Sequence, residues 1–367
     1  MKKLFLFLTV FLLSANLFAL RILIVENAQK QQITAGGPFN LVVMKTGKKY
    51  KLESGGTFSV QLLKNGKIKA GSLEAEGDII LKPLKQTPFN INGNTYTGVL
   101  TITPSKNSFN IIEETELEEY LYGVLPYEMS YSWPAEALKA QAVAARTYTA
   151  RALEDQVNKS FDLYADVRSQ MYKGSGIVYP PVKEAVDKTG GQVLKFENKL
   201  FYTYYHANCG GHTDPLPWNS PDGNIKPLLG VKCPYGDKSQ NATWSRSFTN
   251  AEVSAAAAKS GLKGTITGIS ISKKTSGGRA AQLIVRTKHD NRKISCNDFR
   301  IAIGSVKFKS CMLTKIKKTS GGFDFEGKGY GHGTGMCQDS AKAMAERGTN
   351  YKDILKTFYP GAKLSKL

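Results

Sequence analysis

The sequence predicts an α+β fold, in which a β-rich N-terminal lobe precedes a mixed α/β lobe that carries a smaller inserted α/β lobe. Three observations support this prediction. Short runs rich in Val, Ile, Leu, Phe and Thr fill residues 20 to about 105. An Ala-rich helical pattern follows, and a second mixture of helical and strand patterns occupies about 245–318. A chain of 367 residues is long enough for two or three such lobes.

Residues 1–19 have the pattern of a secretory signal peptide. Two lysines precede an apolar run over 4–13, and Ala19 is the expected last residue before cleavage. Leu17 stands three residues from that cut, where a small side chain is usual, so an uncleaved N-terminal anchor stays open as the alternative. Both forms predict an exported protein of the periplasm or the cell-wall space.

The N-terminal lobe, residues 20–108, is predicted to be a small β-sandwich or barrel. Pairs of residues that favour tight turns separate its strands, at 36–37, 55–56, 65–66 and 92–93. The strands themselves are predicted at 21–25, 39–44, 58–63, 78–81 and 98–103.

Residues 109–367 form the mixed lobe. Apolar residues recur at helical spacing over 116–124, which predicts a short helix whose end is weakened by Pro126. A longer helix is predicted over 135–153. It is rich in Ala and poor in large side chains, which is typical of a buried helix.

The rest of this lobe alternates between helix and strand patterns. Residues 182–207 predict a helix or turn followed by two strands. Inside the inserted lobe, about 245–318, one Ala-rich helix precedes two strands. The predicted elements are a helix at 251–259, strands at 266–272 and 281–287, and C-terminal helices at 339–347 and 351–358.

The chain is strongly basic, with 50 Lys and Arg against 30 Asp and Glu and a net charge of +20. Such a charge favours polyanionic surroundings. Export argues against nucleic acid as the partner, so an anionic cell wall or membrane surface is the better interpretation. Basicity that serves solubility alone is the alternative.

Five ordered strings of residues resemble the SpoIID/LytB family. Two of the strings lie on the predicted helices, and three lie on later segments. Among the later ones, 205–213 is similar to the family's His-x-x-x-Gly-Gly-x-Thr, and 329–338 is similar to its Gly-His-Gly-x-Gly-Met-Ser-Gln. The strings are 117–129, 136–148, 169–174, 205–213 and 329–338, and the resemblance extends over about 96–360.

The resemblance implies a lytic transglycosylase. Such an enzyme cleaves the bond between N-acetylmuramic acid and N-acetylglucosamine in peptidoglycan and leaves 1,6-anhydro-muramic ends, with a preference for strands stripped of stem peptides. The implied partners are therefore glycan strands and no nucleic acid. Another branch of the family enhances a cell-wall amidase without cutting glycans, and this branch is the alternative.

Glu128 is the candidate catalytic residue, because it falls on the catalytic Glu of the family's string. A lytic transglycosylase can work with one carboxyl group, since the sugar's own C6 hydroxyl is the nucleophile and no water has to be activated. Pro126, Tyr127 and Met129 are expected to desolvate Glu128 and to raise its pKa. An exposed Glu that caps the next helix is the alternative.

Four further residues are candidates for substrate binding. Lys139, Gln141 and Arg146 lie on the Ala-rich helix, and Arg146 could pair with the lactyl carboxylate of a peptide-free muramic acid. His332 lies between two glycines, where backbone can approach a ligand. For the three helix residues, anchoring of the Glu128 segment is the alternative, and for His332 a hydrogen-bonded core position.

His206, Cys209, His212 and Cys233 are candidate ligands of a structural Zn²⁺ ion. Two imidazoles and two thiolates suit a tetrahedral zinc site, and some members of the family bind zinc in this region while others lack the ligands. A single-Glu mechanism needs no metal. A Cys209–Cys233 disulfide, which an oxidising compartment favours, is the alternative.

The other three cysteines are Cys296, Cys311 and Cys337. Cys296 and Cys311 flank a short segment, and a disulfide between them is expected in an oxidising compartment. Cys337 stands where the family usually has Ser, which indicates that a small side chain suffices there.

Overall fold

The α+β fold is confirmed by the computed structural model, which describes residues 19–84, 87–155, 159–217, 220–237 and 239–367. They divide into two units. The first comprises the described residues of Met1–Gly123 and Asn158–Ile177, and the second those of Val124–Val157 and Val178–Leu367. The predicted signal segment, apart from Ala19, lies outside the described residues. Among the helices of the described part, none has the length and apolarity that crossing a bilayer requires.

The first unit is built from thirteen strands in two sheets. The seven-stranded sheet has the order β13-β1-β12-β11-β8-β3-β4 and the six-stranded sheet the order β10-β9-β2-β5-β6-β7. The strands are β1 (Ala19–Ala28), β2 (Lys30–Ala35), β3 (Phe39–Val43), β4 (Lys49–Leu52), β5 (Gly56–Leu62), β6 (Ile68–Ala70), β7 (Leu73–Ala75), β8 (Ile79–Pro83), β9 (Phe89–Ile91), β10 (Asn94–Tyr96), β11 (Val99–Pro104), β12 (Phe109–Glu116) and β13 (Leu163–Tyr164).

The turns and strands of this unit follow the sequence pattern. Asn92 and Gly93, with φ of 53° and 80°, form the two-residue turn that joins β9 to β10, as the sequence predicts. All five predicted strands are present as β1, β3, β5, β8 and β11. The unit also takes in β12, which pairs with β1 over most of its length, so it extends beyond the predicted boundary at 108.

The second unit combines six helices with eleven short strands, and helix α1 begins in the first unit and ends in the second. The helices are α1 (Leu117–Glu128), α2 (Ala135–Asp155), α3 (Pro180–Lys188), α4 (Asn250–Lys259), α5 (Cys296–Ile303), α6 (Gln338–Ala345) and α7 (Tyr351–Phe358). The strands are β14 (Gln192–Phe196), β15 (Lys199–Leu200), β16 (Tyr205–His206), β17 (Thr243–Thr249), β18 (Gly268–Lys274), β19 (Ala280–Arg286), β20 (Asn291–Ser295), β21 (Met312–Lys318), β22 (Gly322–Lys328), β23 (Met336–Cys337) and β24 (Lys363–Lys366).

Helix α1 is longer than predicted, because it continues through Pro126 to Glu128. The prediction that Pro126 weakens its end is therefore wrong, and Glu128 is the last helical residue rather than part of a loop. A proline lacks one backbone donor, but near a helix end this loss affects a single hydrogen bond.

Helix α2 is the centre of the second unit. Thirteen of its residues are buried, most of them Ala, as the Ala-rich pattern predicts. Their small side chains let α3, β14, α6 and α7 pack closely against the helix. One apolar core therefore joins α2 to both C-terminal helices.

The inserted lobe has its own core. Two three-stranded antiparallel sheets, β17-β22-β21 and β18-β19-β20, pack with α4 and α5. Four aromatic rings lie at its centre, those of Phe248, Phe299, Phe308 and Phe325. Cys296 and Cys311 are free, buried thiols in this lobe, so the expected disulfide between them is not formed.

A buried carboxyl group in the first unit makes stability depend on pH. Glu113 on β12 is fully buried, where it accepts hydrogen bonds from the Gly98 N–H at 2.9 Å and the Tyr172 hydroxyl at 2.8 Å. Burial nevertheless raises the pKa of Glu113 from 4.5 to about 7. The folded chain thus holds this proton more tightly than the unfolded chain.

We expect the contribution of Glu113 to stability to be complete below about pH 4.5 and to be lost as the pH rises to about 7, because the native state binds the extra proton in that interval. The shift corresponds to a loss on the order of 3 kcal/mol. Glu113→Gln removes the titration, so the free energy of unfolding of the variant relative to wild type should increase by about this amount between pH 4.5 and pH 8.

Urea unfolding at several pH values measures this difference, with Glu114→Gln on the exposed face of the same strand as the control. Parallel pH profiles for wild type and Glu113→Gln would contradict the assignment.

Candidate functional site

A short parallel pairing brings distant parts of the second unit together. Tyr205 and His206 of β16 pair with Met336 and Cys337 of β23, although about 130 residues separate them. The segments 205–213 and 329–338 are therefore neighbours. Gln338, which follows β23, reaches Gln141 on α2 through a side-chain hydrogen bond of 3.4 Å. Three of the five motif strings thus meet in one place.

Glu128 lies at the carboxyl end of α1 and is partly buried. Its charge acts on Tyr148 of α2, whose pKa is raised by burial, by Tyr204 and by Glu128. Glu128 is therefore a partly buried carboxyl group that lies close enough to α2 for its charge to act on that helix.

Exposed tyrosines lie close to Glu128 in the sequence. Tyr131 stacks on Tyr179 with ring centroids 4.2 Å apart and an interplanar angle of 11°. Tyr131 is 45% exposed and Tyr127 is 37% exposed. Burial raises the pKa of Tyr127, and Tyr179 raises it further by a smaller amount. We call Tyr127, Tyr131 and Tyr179 the tyrosine patch. It offers partly exposed aromatic surface, and two of its three tyrosines lie within three residues of Glu128 in the sequence.

Lys139 and Gln141 have different surroundings on α2. Lys139 pairs with Glu136 at 2.6 Å and lies 5.9 Å from the centre of the Tyr351 ring. Gln141 is fully buried, and among the described residues its side-chain nitrogen has no hydrogen-bond partner. Lys139 is therefore held by a structural ion pair, whereas Gln141 keeps an unused donor.

Arg146 is fully enclosed by protein. Its guanidinium donates hydrogen bonds to the Val186 carbonyl at the end of α3 and to the Gln192 carbonyl of β14, both at 3.2 Å. This burial does not fit the predicted contact with a sugar. Arg146 instead holds α3 and β14 against α2, which is a structural role but not the predicted anchoring of the Glu128 segment.

His332 is in contact with the same group of residues. Its Nε2–H donates to the Tyr205 carbonyl at 2.9 Å, and its Nδ1 accepts from the Thr334 N–H at 3.1 Å. His332 as a residue is exposed, but its ring nitrogens are desolvated. This desolvation is the main cause that lowers the pKa of His332 to about 4, and the positive charges of Arg300 and Arg279 lower it further. The ring is therefore neutral and fixed in orientation, and it lies 6.0 Å from Tyr204.

The predicted zinc ligands are only partly brought together. Cys209 and Cys233 form a disulfide, and Cys337 lies beside it, so that the three sulfur atoms are within 4.8 Å of one another. Among the described residues, neither His206 nor His212 joins this group. The four residues do not form a tetrahedral donor set in this structure, and zinc binding stays a prediction.

His206 uses one of its two ring nitrogens in a described hydrogen bond. Its Nδ1 is 3.1 Å from the Thr334 carbonyl, and its buried Nε2 has no hydrogen-bond partner within the described part of the chain. Burial, His332 and Arg279 lower the pKa of His206 well below its usual value. His212 uses Nδ1 in a contact of 2.6 Å with the Thr213 carbonyl.

Several residues of this site were not predicted from the sequence. Tyr131 and Tyr179 are 48 positions apart in the sequence. Tyr148 lies on α2, where only Lys139, Gln141 and Arg146 are predicted to bind substrate. The four-residue interval from Tyr127 to Tyr131, next to Glu128, is a signal that could have revealed part of the tyrosine patch.

Comparisons with known proteins agree with this geometry. Residues 105–196 match a family described as Stage II sporulation protein (SpoIID), and residues 219–335 match a domain of unknown function (DUF8618). The first match includes α1, α2 and α3, and the second includes the inserted lobe.

Relatives from two bacterial genera are similar to most of the chain. An uncharacterized protein of Brachyspira hyodysenteriae is 38% identical over 76% of this chain and 74% of its own length. Stage II sporulation protein D of Bacillus amyloliquefaciens is 31% identical over 71% of this chain and 77% of its own length. An amidase enhancer of Bacillus subtilis is 30% identical over 67% of this chain and 40% of its own length.

The cysteine arrangement predicts a specific thiol count. Alkylation of the denatured, unreduced chain should modify three cysteines, Cys296, Cys311 and Cys337, and reduction should release two more. Burial raises the pKa of Cys337 to about 12, so this thiol should resist alkylation in the folded chain. Peptide mapping and metal analysis of the same sample test the arrangement. Five reactive thiols together with one equivalent of zinc would contradict the disulfide and support the zinc site.

Proposed function

Because the chain belongs to the SpoIID family, we propose that it is a lytic transglycosylase that cleaves peptidoglycan glycan strands and leaves 1,6-anhydro-muramic ends. The observation that carries the proposal is the position of Glu128 at the end of α1, close in sequence to Tyr127 and Tyr131 and near enough to Tyr148 for its charge to act on that side chain.

Glu128 would act first as an acid and then as a base. Its carboxyl proton passes to the glycosidic oxygen as the bond to C1 of the muramic sugar breaks, and positive charge develops on that sugar. The resulting carboxylate then takes the proton of the sugar's C6 hydroxyl as this oxygen bonds to C1. The anhydro ring closes, and Glu128 recovers its proton for the next cycle.

Three other carboxylates of the second unit have partners of their own, which supports a mechanism with one acid. Asp155 pairs with Arg151 at 2.5 Å and accepts a hydrogen bond from the Tyr202 hydroxyl at 2.9 Å. Asp222 accepts from the Tyr202 N–H at 2.6 Å. Glu136, on the other side of α2, is held by Lys139. These contacts assign structural roles to the three carboxylates.

The chain's charge and the predicted export suit this substrate. A net charge of +20 favours the anionic cell wall, and the N-terminal signal pattern would deliver the protein to it. The name of the Bacillus subtilis relative makes a cell-wall amidase a second proposed partner, since an amidase strips stem peptides from the same strands.

Glu128→Gln should abolish the formation of anhydro ends, with a loss of at least about 100-fold, because an amide cannot deliver the proton. Mass spectrometry of products from intact and amidase-treated peptidoglycan measures this loss. Glu119→Gln, an exposed carboxyl on the same helix, is the matched control and should retain activity. If wild type binds glycan but yields no anhydro ends, the amidase-enhancer function replaces this proposal.

Tyr131→Ala should weaken the binding of glycan strands about tenfold, because it removes one ring of the stacked pair and the apolar area that this ring offers to a sugar. Sedimentation with purified, peptide-free glycan strands measures the change. The control is Tyr50→Ala, since Tyr50 is similarly exposed but lies on β4 of the first unit. Equal binding by both variants would remove the tyrosine patch from the substrate site.

A further inference from the structure

A cavity of about 400 Å³ opens in the second unit between the inserted lobe and the segments around β16 and β23. Tyr204 and His332 line one side. Ala281 of β19 and Asn297 of α5, both from the inserted lobe, line another. None of these lobe residues belongs to the strings that resemble the family, so the cavity is not described by that resemblance.

The charged groups that line the cavity neutralise each other. Arg279 and Asp214 are almost fully buried and form an ion pair at 3.3 Å. The Thr275 hydroxyl donates to the same carboxylate at 2.7 Å, and Arg279 also donates to the His212 carbonyl at 2.8 Å. A ligand therefore meets no unpaired charge from this pair. The cavity suits a neutral molecule rather than an ion.

Apolar wall and unused hydrogen-bonding groups lie side by side in this cavity. Leu216 and Ala281 supply apolar surface. The exposed Asn297 accepts a hydrogen bond from Arg300 at 3.3 Å through its Oδ1, which leaves its Nδ2 hydrogens as donors, and within the described residues the buried Arg279 Nε has no partner. Such a lining matches a ligand with an apolar face, a methyl group and several hydroxyl and carbonyl oxygens.

The cavity is connected to the proposed acid through aromatic contacts. The Tyr148 ring, which Glu128 influences, lies edge-on to Tyr204 at 5.9 Å between centroids. Tyr204 in turn lines the cavity and lies 6.0 Å from His332. Tyr148 and Tyr204 thus link the surroundings of Glu128 to the wall of the cavity.

We propose that this cavity is a subsite that the inserted lobe adds for one acetamido sugar of the glycan strand, a proposal that rests on the glycan-cleaving function proposed above. Its volume falls within the range of small-ligand pockets. The Asn297 amide would donate to the acetamido or hydroxyl oxygens, the acetamido methyl would pack on Leu216 and Ala281, and the sugar face would lie against Tyr204. The subsite would fix which bond of the strand lies at Glu128.

Binding of an N-acetylglucosamine tetramer tests the subsite in the full chain that carries Glu128→Gln. Titration calorimetry should show affinity about threefold to tenfold lower for Asn297→Ala, the range of a net hydrogen bond. Ala281→Leu, which fills the cavity, should lower it at least as much. Asn291→Ala, exposed on β20 of the same lobe, is the control and should bind like the parent chain.

Unchanged affinity in Asn297→Ala would overturn the proposal. If Ala281→Leu does not fold, Asn297→Ala decides alone, because Asn297 is exposed and its truncation gives up a described hydrogen bond of 3.3 Å, from Arg300. Failure of the catalytic proposal appears separately, as the absence of anhydro ends from the chain with Glu128 intact. A chain that produces no such ends but binds the tetramer through Asn297 supports the subsite and refutes only the cleavage.

Discussion

The close packing of helix α2 is the constraint on which the second unit depends. Its Ala side chains let four other elements approach its backbone, and Arg146 is its largest fully buried side chain. A buried guanidinium is tolerated only where carbonyl oxygens satisfy it, and the Val186 and Gln192 carbonyls do so. Arg146 thereby fixes α3 and β14 against α2. The same helix carries Tyr148, so this packing also sets where that ring lies relative to Glu128.

The pairing of β16 with β23 is the second condition for a site. Only two residue pairs form it, yet it joins segments that the inserted lobe separates along the chain. Glycines make this approach possible. A Cβ on Gly335 would meet the Tyr204 carbonyl, and a Cβ on Gly331 would meet the His206 side chain. The Gly-rich string is therefore explained by backbone packing, and His332 owes its fixed orientation to it.

The sequence predicts the secondary structure of this protein better than it predicts contacts between residues that are far apart in the chain. Strand and helix patterns locate the central elements, and the predicted helix over 351–358 coincides with α7. Local rules fail at Pro126, since tertiary packing extends α1 past it to Glu128. The surroundings of Glu128 depend on Tyr148 and Tyr179, and spacing along the chain carries no information about such contacts. For the same reason periodicity cannot decide between metal and disulfide at Cys209, which depends on three-dimensional distances.

The position of Glu128 on a helix end, rather than in a loop, also bears on mechanism. A helix holds its last side chain more rigidly than a loop does, and a transferred proton requires an acid whose distance from the glycosidic oxygen varies little. In the proposed mechanism this acid would give up its proton as the leaving oxygen gains negative charge. Under this proposal, the C6 hydroxyl of the same sugar would then supply a new proton to the carboxylate. Because the nucleophile comes with the substrate, the fold has to place one acid and one sugar strand, and no second carboxylate or activated water is needed.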